Sequence, residues 1–104
     1  MDKEKVIKLV EEYAKVVVAN MIVNKIILFG SYARGDFRKD SDIDVAVVVP
    51  KNSLSKDIIA DMSKLFKLRR NISIDIEPVL LIDEEDSSGF LESISQYGKV
   101  VYSR

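Results

Sequence analysis

The sequence predicts a small α/β (α+β) sandwich, one sheet of about four strands with helices packed on it. Three observations predict it. Apolar residues recur at three- and four-residue steps in two long segments, as in amphipathic helices. Short β-branched runs bounded by Gly and Pro stand between them. The two patterns alternate along the chain instead of falling into blocks. With 104 residues and no repeat, linker or low-complexity stretch, residues 1–104 read as a single domain with one hydrophobic core. Any function must fit on one compact surface or be completed by a partner.

Residues 3 to 19 set Val6, Leu9, Val10, Tyr13 and Val17 on one helical face, and Asp2 is placed to cap the first turn. "KIILF", 25 to 29, is apolar and β-branched and stops at Gly30, a buried strand entering a tight turn. "IDVAVVV", 43 to 49, is the second strand, closed by Pro50. From Ser55 to about Arg70, Ile58, Ile59, Met62, Leu65, Phe66 and Leu68 form a second helical stripe. Lys67, Arg69 and Arg70 near its end complement the helix dipole. "ISIDIEPVLLI", 72 to 82, alternates and reads as a third strand, with Ile72, Ile74 and Ile76 on one face and Ser73, Asp75 and Glu77 on the other. "DEED", 83 to 86, reads as a solvated turn. A short helix at about 87 to 97 carries Phe90, Leu91, Ile94 and Tyr97 and ends at Gly98. "KVVY" then forms an edge strand that a partner could cover.

Composition narrows the chemistry. A hydrophobic share of 47% with 32% charged residues is that of a folded globular chain rather than a disordered one. Sixteen basic against seventeen acidic residues, with the basic ones scattered, leave no broad cationic face, so direct nucleic-acid binding is not expected. The absence of Cys and His removes disulfides, thiolate nucleophiles, imidazole bases and the usual zinc ligand sets. Carboxylates, hydroxyls, Lys and Arg remain. No stretch approaches membrane-spanning length, and a cytoplasmic protein is the expectation.

Asp42 and Asp44 stand where a charged loop becomes the second strand. Side chains two apart on a strand point the same way, roughly 6 to 7 Å apart, so both carboxylates address one spot. At an effective dielectric of about 20 their repulsion is roughly 2 to 3 kcal/mol. A divalent cation removes that cost, and hard oxygen ligands of this kind suit Mg²⁺ or Mn²⁺ with substrate phosphates completing the shell. The plain alternative is solvated turn chemistry. Two features favour the cation. Gly30-Ser31, after the first strand, lets backbone N–H groups approach an anion, and a short helix opened by "SYAR" would add its free amides; the plain alternative there is Ser31 as an N-cap. Asp75 on the third strand could join Asp42 and Asp44 if strands two and three are neighbours, with Glu77 on the same face as its competitor.

Gly30-Ser31, ten residues, Asp42-x-Asp44 and a later Asp75 together resemble the signature of the nucleotidyltransferase superfamily whose fold includes the polymerase β palm. "GSYARGDFRKDSDIDV" and the closing "GFLESISQYGKVVY" are similar to its minimal nucleotidyltransferases, short single-domain proteins. The resemblance covers nearly the whole chain. It implies the nucleotidyltransferase fold, with a small mixed sheet, and a site in which Asp42 and Asp44 hold two Mg²⁺ ions. Asp75 would then be the third carboxylate and the proton acceptor, and Gly30 and Ser31 would cradle the β- and γ-phosphates of ATP. Arg34, in the family's "ARG" stretch, would contact phosphate or brace the loop against Asp36, Asp40 or Asp42. The resemblance also implies a partner, a small helical HEPN toxin. The minimal protein would act as its antitoxin by transferring AMP to a tyrosine hydroxyl. Two other functions compete: a non-catalytic module that neutralises a partner by binding it, and transfer to a small molecule or RNA end with a helper subunit.

Overall fold

The computed structural model describes residues 2–53, 57–84 and 89–104. Along the chain the elements are α1 (Lys3–Asn20), β1 (Lys25–Phe29), α2 (Ser31–Arg34), β2 (Ile43–Val49), α3 (Ile58–Leu68), β3 (Ile76–Ile82), α4 (Phe90–Tyr97) and β4 (Lys99–Ser103). A 3-10 turn at Lys51–Ser53 follows β2. The Asp2 carboxylate accepts from the Lys5 N–H at 2.9 Å, so the expected cap starts α1. The strands form one sheet in the order β3-β2-β1-β4. β1 runs antiparallel to β2 and to β4, and β2 runs parallel to β3 with α3 as the crossover between them. The sheet is therefore mixed. Pro78 is tolerated because β3 is an edge strand.

Alternation along the strands divides the core in two. Ile26, Leu28, Ile43, Val45, Val47 and Ile76 point to the face covered by α1 and packed against Leu65 of α3. Ile27, Ala46 and Val48 point to the other face, where Ile94 of α4 meets them. Register partners share a face, so the pairs Phe29↔Asp44 and Asp44↔Glu77 put these three residues on the α4 face. That face is thinly covered, and the acids stand at the end of it.

Several sequence expectations are corrected. The expected start of the second helix at Ser55 lies outside the described residues; the helix begins at Ile58, capped by Asp57, whose carboxylate accepts from the N–H groups of Ile59 and Ala60. Of its apolar stripe only Leu65 is buried, whereas Ile58, Ile59 and Met62 are exposed. The third strand starts at Ile76, not at residue 72. Residues 72 to 75 form a turn because α3 unwinds there: the Ile72 and Ser73 N–H groups return to the Arg69 carbonyl, both at 2.9 Å. Asp75 therefore lies just before the strand, and Ile74 is exposed rather than sharing a buried face with Ile76. Arg69 does more than complement a dipole. Its guanidinium donates to the carbonyls of Ile74 at 2.8 Å and Ile76 at 2.6 Å and lies over the Phe66 ring. In "DEED", Asp83 closes the β2–β3 ladder through its N–H to the Val49 carbonyl and accepts from the Asn24 amide at 2.8 Å; residues 85 and 86 lie outside the described residues. The last helix is described from Phe90, and residues 87 and 88 are likewise outside.

Candidate active site

The bend after β1 is built around the missing side chain of Gly30. Its φ of 75° with ψ of -153° belongs to a region open essentially to glycine alone. A Cβ at this position would collide with the Asp44 carboxylate. The strand-end glycine thus makes the space that the second acid occupies. Gly30, not Ser31, is the N-cap of α2, and Ser31 is its first helical residue. The Gly30 carbonyl accepts from the Arg34 N–H at 3.0 Å, and the Ser31 N–H, in the first turn, has no acceptor within the helix. Buried Tyr32 stacks on Phe37 with centroids 4.5 Å apart, fixing the following loop to the body. Arg34 Nε lies 3.3 Å from Asp36 Oδ2, the bracing role, with both side chains largely exposed.

The acids come from a turn and two strands. The Ser41 hydroxyl accepts from the Arg38 N–H at 2.7 Å, a tight turn that delivers Asp42 to the start of β2. Asp42 is exposed and Asp44 half-buried. Burial first, then the charges of Asp42 and Glu77, push the Asp44 carboxyl above its ordinary range, and Arg34 partly offsets them. β2 and β3 are neighbours. Asp75 lies in line with Asp42, one step before the first pair of the ladder, and its carbonyl accepts from the Ile43 N–H at 2.9 Å. Glu77 is the direct register partner of Asp44, and it also stands 3.8 Å from Arg69 Nη1. The sequence named Glu77 only as a competitor; the strand register that sets it beside Asp44 was not visible there.

Among the described residues, no three acids stand close enough together to hold a metal ion as they are. The donor set nevertheless fits a hard divalent cation. It is all oxygen, and Asp44 carries like-charge pressure that such an ion would relieve. Beside it lies a cleft of about 510 Å³ lined by Gly30, Arg34 and Asp44 together with aromatic side chains of β1 and α4. The sequence placed Phe90 and Tyr97 on a short helix and gave them no part in the site; the structure leaves both exposed at this cleft. No described helix is long and apolar enough to cross a membrane.

Comparison with known proteins agrees with this fold. A candidate protein adenylyltransferase of Methanocaldococcus jannaschii is 33% identical over 82 residues, which cover 77% of this chain and 79% of that one. A nucleotidyltransferase fold from Sulfolobus solfataricus superposes with a TM-score of 0.74 over 98% of this chain and 84% of that one, at 20% identity. A chain in the complex of tri-AMPylated Shewanella oneidensis HEPN toxin with MNT antitoxin superposes with a TM-score of 0.61 at 26% identity, covering 94% of this chain and 73% of that one. The family model described as "Polymerase beta, Nucleotidyltransferase" matches residues 4–104. With the glycine bend, the paired aspartates and the mixed sheet behind them, the chain belongs to the polymerase beta nucleotidyltransferase family.

Proposed function

We propose that this protein is a Mg²⁺-dependent protein adenylyltransferase that moves AMP from ATP to a tyrosine hydroxyl of a HEPN toxin and thereby acts as its antitoxin. One observation carries the reading: Asp44 is held half-buried in the space left by Gly30, with Asp42 and Glu77 pressing further negative charge on it. An unliganded fold gains nothing from that arrangement, whereas a site for a cation and a triphosphate requires it. The relative named as a candidate protein adenylyltransferase and the neighbour found with an AMPylated HEPN toxin support the choice of reaction and partner.

In this reading the Gly30-Ser31 bend holds the β- and γ-phosphates through backbone N–H groups and the Ser31 hydroxyl. Asp42 and Asp44, with Asp75 or Glu77 as the third acid, would hold two Mg²⁺ ions, which supply charge neutralisation and in-line positioning when bound. The tyrosine oxygen attacks the α-phosphorus, the bond to the β-phosphate oxygen breaks, and pyrophosphate leaves. Asp75 takes the phenolic proton. Its exposure beside Asp42 leaves it open to a hydroxyl presented by another protein. Arg34, braced by Asp36, keeps a positive charge facing Asp44 and the incoming phosphates.

The test is incubation of the protein with α-labelled ATP, Mg²⁺ and its cognate HEPN protein. The native chain should label the partner, and the Asp42→Ala/Asp44→Ala variant should lose turnover by several orders of magnitude. Chelation of the metal should stop labelling as well. Neutralisation of the toxin by both forms, without label, would replace the transferase with a steric module.

A further inference from the structure

Resting on the proposed use of a nucleoside triphosphate, we infer that the aromatic wall made by Phe29, Phe90 and Tyr97 is the platform on which the nucleotide's base stacks. The wall is continuous with the phosphate bend. Phe29 immediately precedes Gly30 and is the register partner of Asp44. Phe90 meets it edge-on, with ring centroids 5.9 Å apart and planes at 90°. Tyr97 lies seven residues beyond Phe90, two helical turns along the same face of α4.

Phe29 packs partly against the core, whereas exposure sets the two rings of α4 apart from core residues. Ile94, between them on α4, is 6% exposed, whereas Phe90 is 41% and Tyr97 70% exposed at the cleft. The helix that carries them is held in place. A Cβ on Gly98 would stand 2.5 Å from the Ile94 carbonyl oxygen and 2.8 Å from that of Leu28, so only glycine lets the end of α4 press on β1. With α4 docked, the aromatic faces line the same cleft as Gly30. The cleft's volume, about 510 Å³, falls within the range of small-molecule sites, and its lining is mainly apolar with a few polar groups. A nucleotide has the matching polarity, a flat apolar base at one end and phosphates at the other. Stacking on aromatic rings holds any base by its π-face.

Calorimetric titration of the intact protein with ATP and, separately, inorganic tripolyphosphate, each with Mg²⁺, tests this assignment. Native protein should bind ATP more tightly than tripolyphosphate. Tyr97→Ala should weaken ATP about tenfold and leave tripolyphosphate within twofold of native, and Tyr97→Phe should retain native affinity for both. Phe90→Leu should act like Tyr97→Ala; if it melts early, the exposed Tyr97 position decides alone. Equal native affinity for the two ligands would overturn the platform, as would unchanged ATP binding in Tyr97→Ala or an equal loss of both ligands. A native protein that binds neither ligand would overturn the transferase reading itself, and the platform with it.

Discussion

Gly30 and Asp44 show how one residue's absence of a side chain positions another residue's charge. In Gly30→Ala the new methyl group meets the Asp44 carboxylate from a backbone conformation that alanine resists. The backbone strain alone costs about 1 to 3 kcal/mol. A lower denaturation midpoint together with lost label transfer is the expected outcome. Asp44→Asn separates the two effects. It removes a charge that burial, Asp42 and Glu77 all oppose, so at neutral pH it should raise the denaturation midpoint slightly, the gain limited by solvent screening at a half-exposed site, while abolishing transfer. Tyr13 provides a pH test away from the site. Its buried hydroxyl donates to the Leu65 carbonyl at 2.8 Å, and burial raises its pKa far above the ordinary tyrosine value. Above pH about 10 the unfolded chain releases this proton and the folded one does not, so stability falls by about 1.4 kcal/mol per pH unit. Tyr13→Phe should be less stable than native by about 1 kcal/mol at pH 7 and should close or reverse that gap at pH 11, read from urea midpoints at both pH values. Of the candidate site, the placement of Gly30, Ser31, Asp42 and Asp44 was legible in the sequence because a strand-end glycine and a strand-start Asp-x-Asp are local patterns. Glu77 as Asp44's neighbour and Phe29, Phe90 and Tyr97 as a wall were not, because they meet only through strand register and helix docking.

At the scale of elements, the turn between α3 and β3 depends on one side chain. Arg69 holds the carbonyls of Ile74 and Ile76 and stands 3.8 Å from Glu77, so it fixes where β3 begins and thereby which acids reach β2's start. Sequence alternation from residue 72 suggested a longer strand, since a period of two is also compatible with a turn whose amides are taken up elsewhere. The remaining elements were legible: Gly30 and Pro50 mark strand ends, Asp2 marks a helix start, and β-branched runs mark the strands. What the local pattern could not supply was the parallel β2–β3 pairing, which follows from the α3 crossover. Arg69→Ala leaves the two carbonyls without this donor and should cost about 2 to 3 kcal/mol, seen as a lower guanidinium midpoint. It also releases Glu77 to press harder on Asp44. Label transfer should therefore fall in Arg69→Ala even at temperatures where the variant is fully folded.

For the whole molecule, the sheet's two faces are covered unequally, and the unequal cover explains both where the site lies and how it should move. α1 buries Val6, Val10, Tyr13, Ala14 and Val17 at no more than 4% exposure over 18 residues, whereas the eight residues of α4 bury only Ile94. A helix of two turns has little stability of its own, so α4 depends on its docking, to which Ile94, Leu91, Phe90 against Phe29 and the close approach at Gly98 contribute. Opening α4 exposes little apolar surface and should require far less free energy than global unfolding, whereas α1 cannot leave without dissolving the larger half of the core. Native-state hydrogen exchange should show α4 amides exchanging by local opening and α1 amides only with the whole fold. Addition of ATP with Mg²⁺ should slow α4 amides selectively, since a base on Phe90 and Tyr97 bridges the helix to the phosphate bend, and tripolyphosphate with Mg²⁺ should slow them much less. Equal protection of the two helices in the free protein would mean that α4 is docked as firmly as α1, and the site would then be a rigid groove rather than one completed by its nucleotide.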